Sequence, residues 1–348
     1  MRDKLKIRYV VLIVLLSVVW ATQLIPILGE VYAQSVYPVI SHFLSSFSKL
    51  MPFAIGDLFI FLSVLGLLFN PIRARYIQKK KWKQILLNEM EYLLWIYAWF
   101  YLAWGLNYSQ KDFYGRTNIP YTAYTPEIFR TFVDNYIDKL NASYTDITSI
   151  DEPLVCRESV HGYNQISDTL GIHRPPHSSP RVKTMLFTPF ISMVGVTGSM
   201  GPFFCEFTLN GDLLPSQYPA TYAHELAHFL GITSEAEANF YAYQVCTRSQ
   251  VKEIRFSGYF SVLPHVLGNA RRLMSEEEYA ELFGRIRPEI IELAQKNQQY
   301  WMEKYSPLIG DIQNWIYDLY LKGNKIQSGR KNYSEVIGLL ISYEEWKN

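Results

Sequence analysis

The chain has little cysteine, almost no net charge and no repeated segment, and each shortage removes a class of protein. Three cysteines, Cys156, Cys205 and Cys246, are spread over 348 residues with no CxxC pair. That spacing excludes a cysteine-based zinc site, and an odd count cannot close wholly into internal disulfides. They read as buried thiols. Lys and Arg number 33 against 32 Asp and Glu, a net charge of +1. With no basic surplus to grip a phosphate backbone, no nucleic-acid partner is expected. The absence of internal repeats and low-complexity tracts leaves out solenoids and disordered linkers.

Charge is also missing locally, and there the shortage is informative. From Tyr9 to Gly29 no residue is charged. A run of that length can cross a hydrocarbon core, which takes about 20 helical residues. More apolar segments follow, which favours a retained anchor over a cleaved signal peptide. Residues 52–70 carry only Asp57, near one end, where an interfacial capping role is expected. Residues 92–108, "YLLWIYAWFYLAWGLNY", are uncharged and rich in Trp and Tyr, as membrane interfaces are. The reading is a membrane anchor of about three spans over 1–110, with a lipid bilayer as partner, and a second domain over 111–348.

Lys and Arg set the orientation. Arg2, Lys4, Lys6 and Arg8 precede the first span, and Arg73, Arg75, Lys79, Lys80, Lys81 and Lys83 follow the second. Only Lys49 lies between the two spans. Both clusters therefore mark the cytoplasmic face. Three spans put the second domain outside the cytoplasm, and two would keep it inside.

Beyond residue 110 the pattern becomes mainly helical with a small β-sheet, an α+β class. Thr125, Pro126 and Glu127 open a helix, with a capping hydroxyl and then Pro where no N–H is needed. "FTPFISMVGVTGSMGPFFCEFTLNGDLLP" reads as short β segments broken by Gly and Pro. The "FCEFTLN" strand is expected to offer an edge to an extended peptide. The rest is helical to "LIGDIQNWIYDLYLKG".

Between strands and helices stands "YAHELAHFLGITSEAEANFYAY", which holds two of the seven histidines. Helical residues four apart share a face, so His224 and His228 can turn their imidazoles to one ion. Glu225 lies beside that face, where it can take a proton from a metal-bound water. Zinc suits two imidazoles and a carboxylate and can keep a fourth position for water. HExxH alone is a short pattern. Its apolar filling by Leu226, Ala227, Phe229 and Leu230, the stop at Gly231, and a new helix at Ser234 strengthen it.

The third ligand follows by elimination. A metzincin would have histidine at position 234, which is Ser234. Glu235 and Glu237 remain. Ser234 and Glu237 fit a capping box, which frees Glu235 for the metal, with Glu237 as the alternative.

"HELAH…EAEANF" resembles zinc peptidases of the gluzincin type, whose third ligand is the first Glu of ExxA[ND]. That is Glu235 here, with Asn239 in the Asn/Asp position. The connection "FLGITS" is tighter than in typical gluzincins. More fully, the chain is similar to an uncharacterised bacterial membrane family, domain of unknown function 3810. "PFAIGDLF", "WGLNY", "FCEFTLN", "HELAHFLGITSEAEANF", "SGYFSVL" and "IYDLYLKGN" carry the likeness in order. The resemblance implies a zincin-like domain on a membrane anchor.

Together these features lead to a membrane-anchored, zinc-dependent metallopeptidase cleaving proteins or peptides on the extracytoplasmic side. Zinc is held by His224, His228 and Glu235, and Glu225 is the base. Tyr259, His265, Tyr317 and Tyr320 are candidates to stabilise the oxyanion. The competing reading is a non-proteolytic zinc-binding scaffold or receptor of the cell envelope. The segments flanking HELAH are too polar for an intramembrane protease.

Overall fold

Uncharged runs become long helices because an apolar helix satisfies its own backbone hydrogen bonds and asks nothing of water. In the computed structural model, which describes residues 2–324 and 335–347, the N-terminal runs form five helices. These are α1 (Arg2–Leu24), α2 (Pro26–Val31), α3 (Tyr37–Ser48), α4 (Ile55–Tyr76) and α5 (Trp82–Ala103). The first run expected to continue to Gly29 stops at Leu24, because Pro26 opens a separate short helix.

The chain divides into two compact units. The first holds Met1–Gln110 with Lys183–Leu186 and Met200–Thr208. Its long helices lie side by side. Arg8 donates to Glu91 at 2.7 Å, and further along both helices Leu12 and Leu16 pack with Ala98, so α1 and α5 run the same way. Ser63 meets the Tyr92 hydroxyl at 2.8 Å and Asn70 donates to Glu89 at 2.6 Å, which makes α4 antiparallel to α5. Among the described residues, two helical stretches are long and apolar enough to cross a membrane, Ile7–Leu24 and Ile55–Tyr76. The third expected span differs. Helix α5 starts earlier, takes in Lys83, Glu89 and Glu91, and ends at Ala103, before a 3-10 turn over Gly105–Ser109.

Three short strands, β1 (Lys183–Thr184), β2 (Gly198–Gly201) and β3 (Glu206–Leu209), pair in the order β1-β3-β2. The "FCEFTLN" strand is thus the centre of the sheet, flanked on both sides, and the edges fall to β1 and β2 instead. "TPFIS", expected as β, is a short helix, α9 (Thr188–Ser192), because Pro189 suits a first helical turn. Within the first unit, Glu206 accepts from the Gly56 N–H at 2.5 Å and pairs with Lys183, both side chains being 2% exposed. Lys183 also donates to the Ser48 carbonyl at 2.8 Å. Asp57 caps the Leu186 N–H at 2.9 Å, so its place near the end of the apolar run has a structural use.

The second unit holds Lys111–Val182, Phe187–Ser199 and Leu209–Asn348. It is built from α6 (Phe113–Thr117), α7 (Pro126–Ser143), α8 (Glu152–Leu170), α9, α10 (Tyr218–Phe229) and α11 (Glu235–Thr247). They are followed by α12 (Lys252–Leu273), α13 (Glu276–Gly284), α14 (Pro288–Lys304), α15 (Pro307–Gly323) and α16 (Val336–Lys347). Helix α7 starts as the sequence implies, with Thr125 accepting from the Ile128 N–H. Helix α11 lies among α8, α10, α12 and α16, and nearly all of its residues are buried. Glycine allows that approach: a Cβ on Gly258 of α12 would stand 2.6 Å from the Cys246 Cβ, and one on Gly162 of α8 would stand 2.7 Å from Val245 Cγ1. All three cysteines are buried free thiols.

A methyl group at Gly258 has nowhere to go but into α11. Gly258→Ala is expected to lower stability by about 1–3 kcal/mol, seen as a lower urea midpoint of the detergent-solubilised chain. An unchanged midpoint would mean that α11 and α12 part without cost.

Candidate metal centre

Helix α10 carries HELAH in the interior of the second unit. The Tyr163 hydroxyl of α8 donates to the Ala223 carbonyl at 2.6 Å, and the Ala220 N–H donates to Ser257 of α12 at 3.2 Å. The helix ends where the sequence implies. Gly231 adopts φ +97°, a left-handed conformation that costs glycine little, and the Ile232 N–H returns to the Ala227 carbonyl at 3.1 Å. The chain reverses there, and α11 begins against α10.

That reversal brings Glu235 to the two histidines. Its Oε2 lies 3.1 Å from His224 Nε2 and 3.3 Å from His228 Nε2, and the two Nε2 atoms are 3.1 Å apart. Each imidazole is turned by its other nitrogen. His224 Nδ1–H donates to Asn239 Oδ1 at 2.8 Å, and His228 Nδ1–H donates to the Ile232 carbonyl at 2.7 Å. Both Nε2 lone pairs are thereby left for the centre, the usual outer support of histidine ligands. The outer oxygen of Glu235, Oε1, accepts from the Tyr317 hydroxyl of α15 at 2.5 Å.

The donor set fits a tetrahedral divalent ion. Bonds of about 2.0–2.1 Å to zinc set neighbouring ligand atoms about 3.3 Å apart, which is the spacing found. The electrostatics agree. Burial works against the charge on Glu235, yet His228 and His224 outweigh it and hold the carboxyl well below its ordinary range. Burial likewise opposes a charged His228, but Glu235 outweighs it and lifts the imidazole to about 9. The buried carboxylate thus favours positive charge at this point.

Glu225 is close by and distinct. It is buried, and its Oε2 has no hydrogen-bond partner among the described residues. Burial raises its carboxyl, with His224 and His228 pulling the other way. Backbone approaches it closely: a Cβ on Gly198 would stand 2.5 Å from Glu225 Oε1. Only glycine leaves this side of the carboxylate open.

Glu237 is turned elsewhere. Ser234 accepts from the Glu237 N–H at 3.3 Å, the first half of a capping box. The Glu237 carboxylate, however, accepts from the Phe113 N–H at 3.0 Å and pairs with Arg116, whose side chain is 3% exposed. A distant arginine, beyond the capping residue, thus takes up the Glu237 side chain.

The four candidate donors separate. Tyr317 touches Glu235. Tyr320 stacks beside it, ring centres 6.0 Å apart. The His265 imidazole is pushed down from its ordinary range, first by burial and then by its nearness to His224. Tyr259 belongs to an aromatic cluster with Tyr136 and Tyr243. Gly198 and the Ile232 carbonyl carry no chemical signature in the sequence and were not foreseeable from it. Asn239 stood out only through the ExxA[ND] resemblance.

Titrating a divalent metal into three variants separates these roles. Glu235→Ala is expected to lose tight binding. Asn239→Ala is expected to weaken it about 10–100-fold. Glu237→Ala is expected to keep the metal while losing about 3–5 kcal/mol of stability, because Arg116 is left buried and unpaired. Metal lost in Glu237→Ala but retained in Glu235→Ala would reverse the assignment.

No curated protein and no solved structure matches the chain. A family model described as a protein of unknown function, DUF3810, matches residues 32–341. That span takes in α3, α4, α5, the sheet, α10, α11 and Tyr317, with α1 lying before it, so the chain that carries this centre belongs to the DUF3810 family.

Proposed function

We propose that the protein is a membrane-anchored zinc metallopeptidase that hydrolyses peptide bonds outside the cytoplasm. One observation carries the reading: two imidazole nitrogens and a carboxylate oxygen converge within 3.3 Å of one another beside the buried Glu225, whose Oε2 has no hydrogen-bond partner among the described residues. A purely structural metal site has no use for Glu225, and an unsatisfied buried acceptor is costly to keep. That speaks against the scaffold reading.

His224, His228 and Glu235 would hold the zinc. When bound, zinc supplies Lewis acidity and makes water a usable nucleophile near neutral pH. The other work falls to side chains and backbone. Glu225 accepts the proton of the attacking water at its free oxygen and returns it to the leaving amine. Its buried setting keeps bulk water from competing for that proton. Asn239 and the Ile232 carbonyl keep both Nε2 atoms turned inward. Tyr317 holds Oε1 of Glu235 so that Oε2 faces the histidines. The strand edge suited to an extended peptide is β2, whose Gly198 borders Glu225.

The anchor is proposed as three crossings, α1, α4 and α5. The acids of α5 support this despite lowering its apolar character. Glu91 pairs with Arg8, and Glu89 accepts from Asn70, so both meet polar partners toward the basic end of α1. An odd number of crossings carries the second unit to the side opposite those basic residues.

Two measurements test the reading. Glu225→Gln is expected to bind zinc like the parent and to lose peptide cleavage by about 10²–10⁴-fold; cleavage equal to the parent would remove Glu225 from the chemistry. A reporter fused at the C-terminus is expected to signal outside the cytoplasm. A cytoplasmic signal would reduce the anchor to two crossings.

A further inference from the structure

Helix α15 wears its amphipathic character inside out. With 3.6 residues per turn, or about 100° each, Leu308, Ile312, Trp315, Ile316 and Leu319 share one face and Tyr317 lies opposite. The apolar face points outward: these five residues are 75%, 55%, 66%, 55% and 51% exposed. The inward face carries Gly310 and Leu321, both buried, and Tyr317 bonded to Glu235. A surface helix normally turns its apolar stripe to the core, so packing within the unit does not explain this one. Elsewhere in the second unit, exposed large apolar residues come one to an element. Contiguous apolar surface of this kind marks a binding face.

We infer that the outer face of α15 seats in the headgroup–acyl boundary of a lipid bilayer. The face has the make-up of an interfacial helix: Trp, Ile and Leu together, with Asp311, Asn314 and Asp318 off it. A second copy of the chain is the other apolar partner to weigh. Specific protein interfaces take about 20–30 residues a side, and five residues on one helix fall far short. A bilayer sets no such threshold, since each side chain gains by its own burial. It is also the apolar phase that Ile7–Leu24 and Ile55–Tyr76 of the same chain are long and apolar enough to cross. The inference rests on the anchor proposed above. Because Tyr317 is on the opposite face, the candidate centre sits about one helix diameter, roughly 10 Å, from the lipid. The substrates in reach are then polypeptide segments lying at the membrane surface.

Fluorescent labels on the full chain in phosphatidylcholine–phosphatidylglycerol nanodiscs test this. The three native cysteines are buried, so bimane can be placed on Ile312→Cys or Leu319→Cys, with Glu292→Cys on α14 as a water-exposed control (63% exposed). The expected result is blue-shifted emission at 312 and 319, quenching there by nitroxide-bearing lipid, and iodide quenching confined to 292. Iodide quenching all three labels equally overturns the inference, as does thiol cross-linking between copies at 312, which would make a second copy the occupant. Far-UV circular dichroism checks that the variants fold. Flotation with vesicles reads the anchor separately: a chain that floats while its α15 labels stay in water loses this inference and keeps the anchor.

Discussion

A carboxylate oxygen held between two imidazole nitrogens, inside a helical unit, is the constraint on which the site depends. Glu235 Oε2 cannot stay ionised there without positive charge beside it. The surroundings are arranged to keep that demand directed at one point. Gly231 reverses the chain so that α11 begins where α10 presents its histidines. Asn239 and the Ile232 carbonyl occupy the outward nitrogens, and Tyr317 occupies the outward oxygen. All three candidate ligand atoms are thereby turned toward one point.

Three glutamates within thirteen residues illustrate how burial assigns roles. Glu235 is balanced by the histidines. Glu237 is balanced by Arg116 and the start of α6, and there the cost of burying charge is met by excellent pairing. Glu225 keeps an oxygen without a hydrogen-bond partner among the described residues. Such a group is destabilising to maintain, and functional sites are where chains tolerate that expense. The Lys183–Glu206 pair in the first unit follows the same rule as Glu237: the charges are buried and every one is met.

Much of this was legible along the chain, since neighbours in sequence set the local terms. The i, i+4 spacing of His224 and His228, the Thr125–Pro126 start of α7 and the stop at Gly231 are all short-range facts. Where the reading slipped, a longer-range term had intervened. The capping logic for Glu237 was sound for its backbone, but Arg116, 121 residues away, took the side chain. "FCEFTLN" looks like any strand, and only pairing with β1 and β2 makes it central. The run from Tyr92 is uncharged, yet the helix that holds its first part begins earlier, ends at Ala103 and includes acids whose partners come from α1 and α4.

The sequence by itself determined the helical periodicity, the apolar runs and the chemical identity of the candidate metal-ligating side chains, because each depends on residues within a turn or two. Tertiary structure alone decided which atoms converge. It brought Glu235 to the histidines, Tyr317 to Glu235 from 82 residues on, and Gly198 to Glu225. It also decided that α15 presents its apolar face outward. Angstrom-scale convergence and the facing of a helix depend on how distant elements pack, and that packing is a sum of contacts no local window contains.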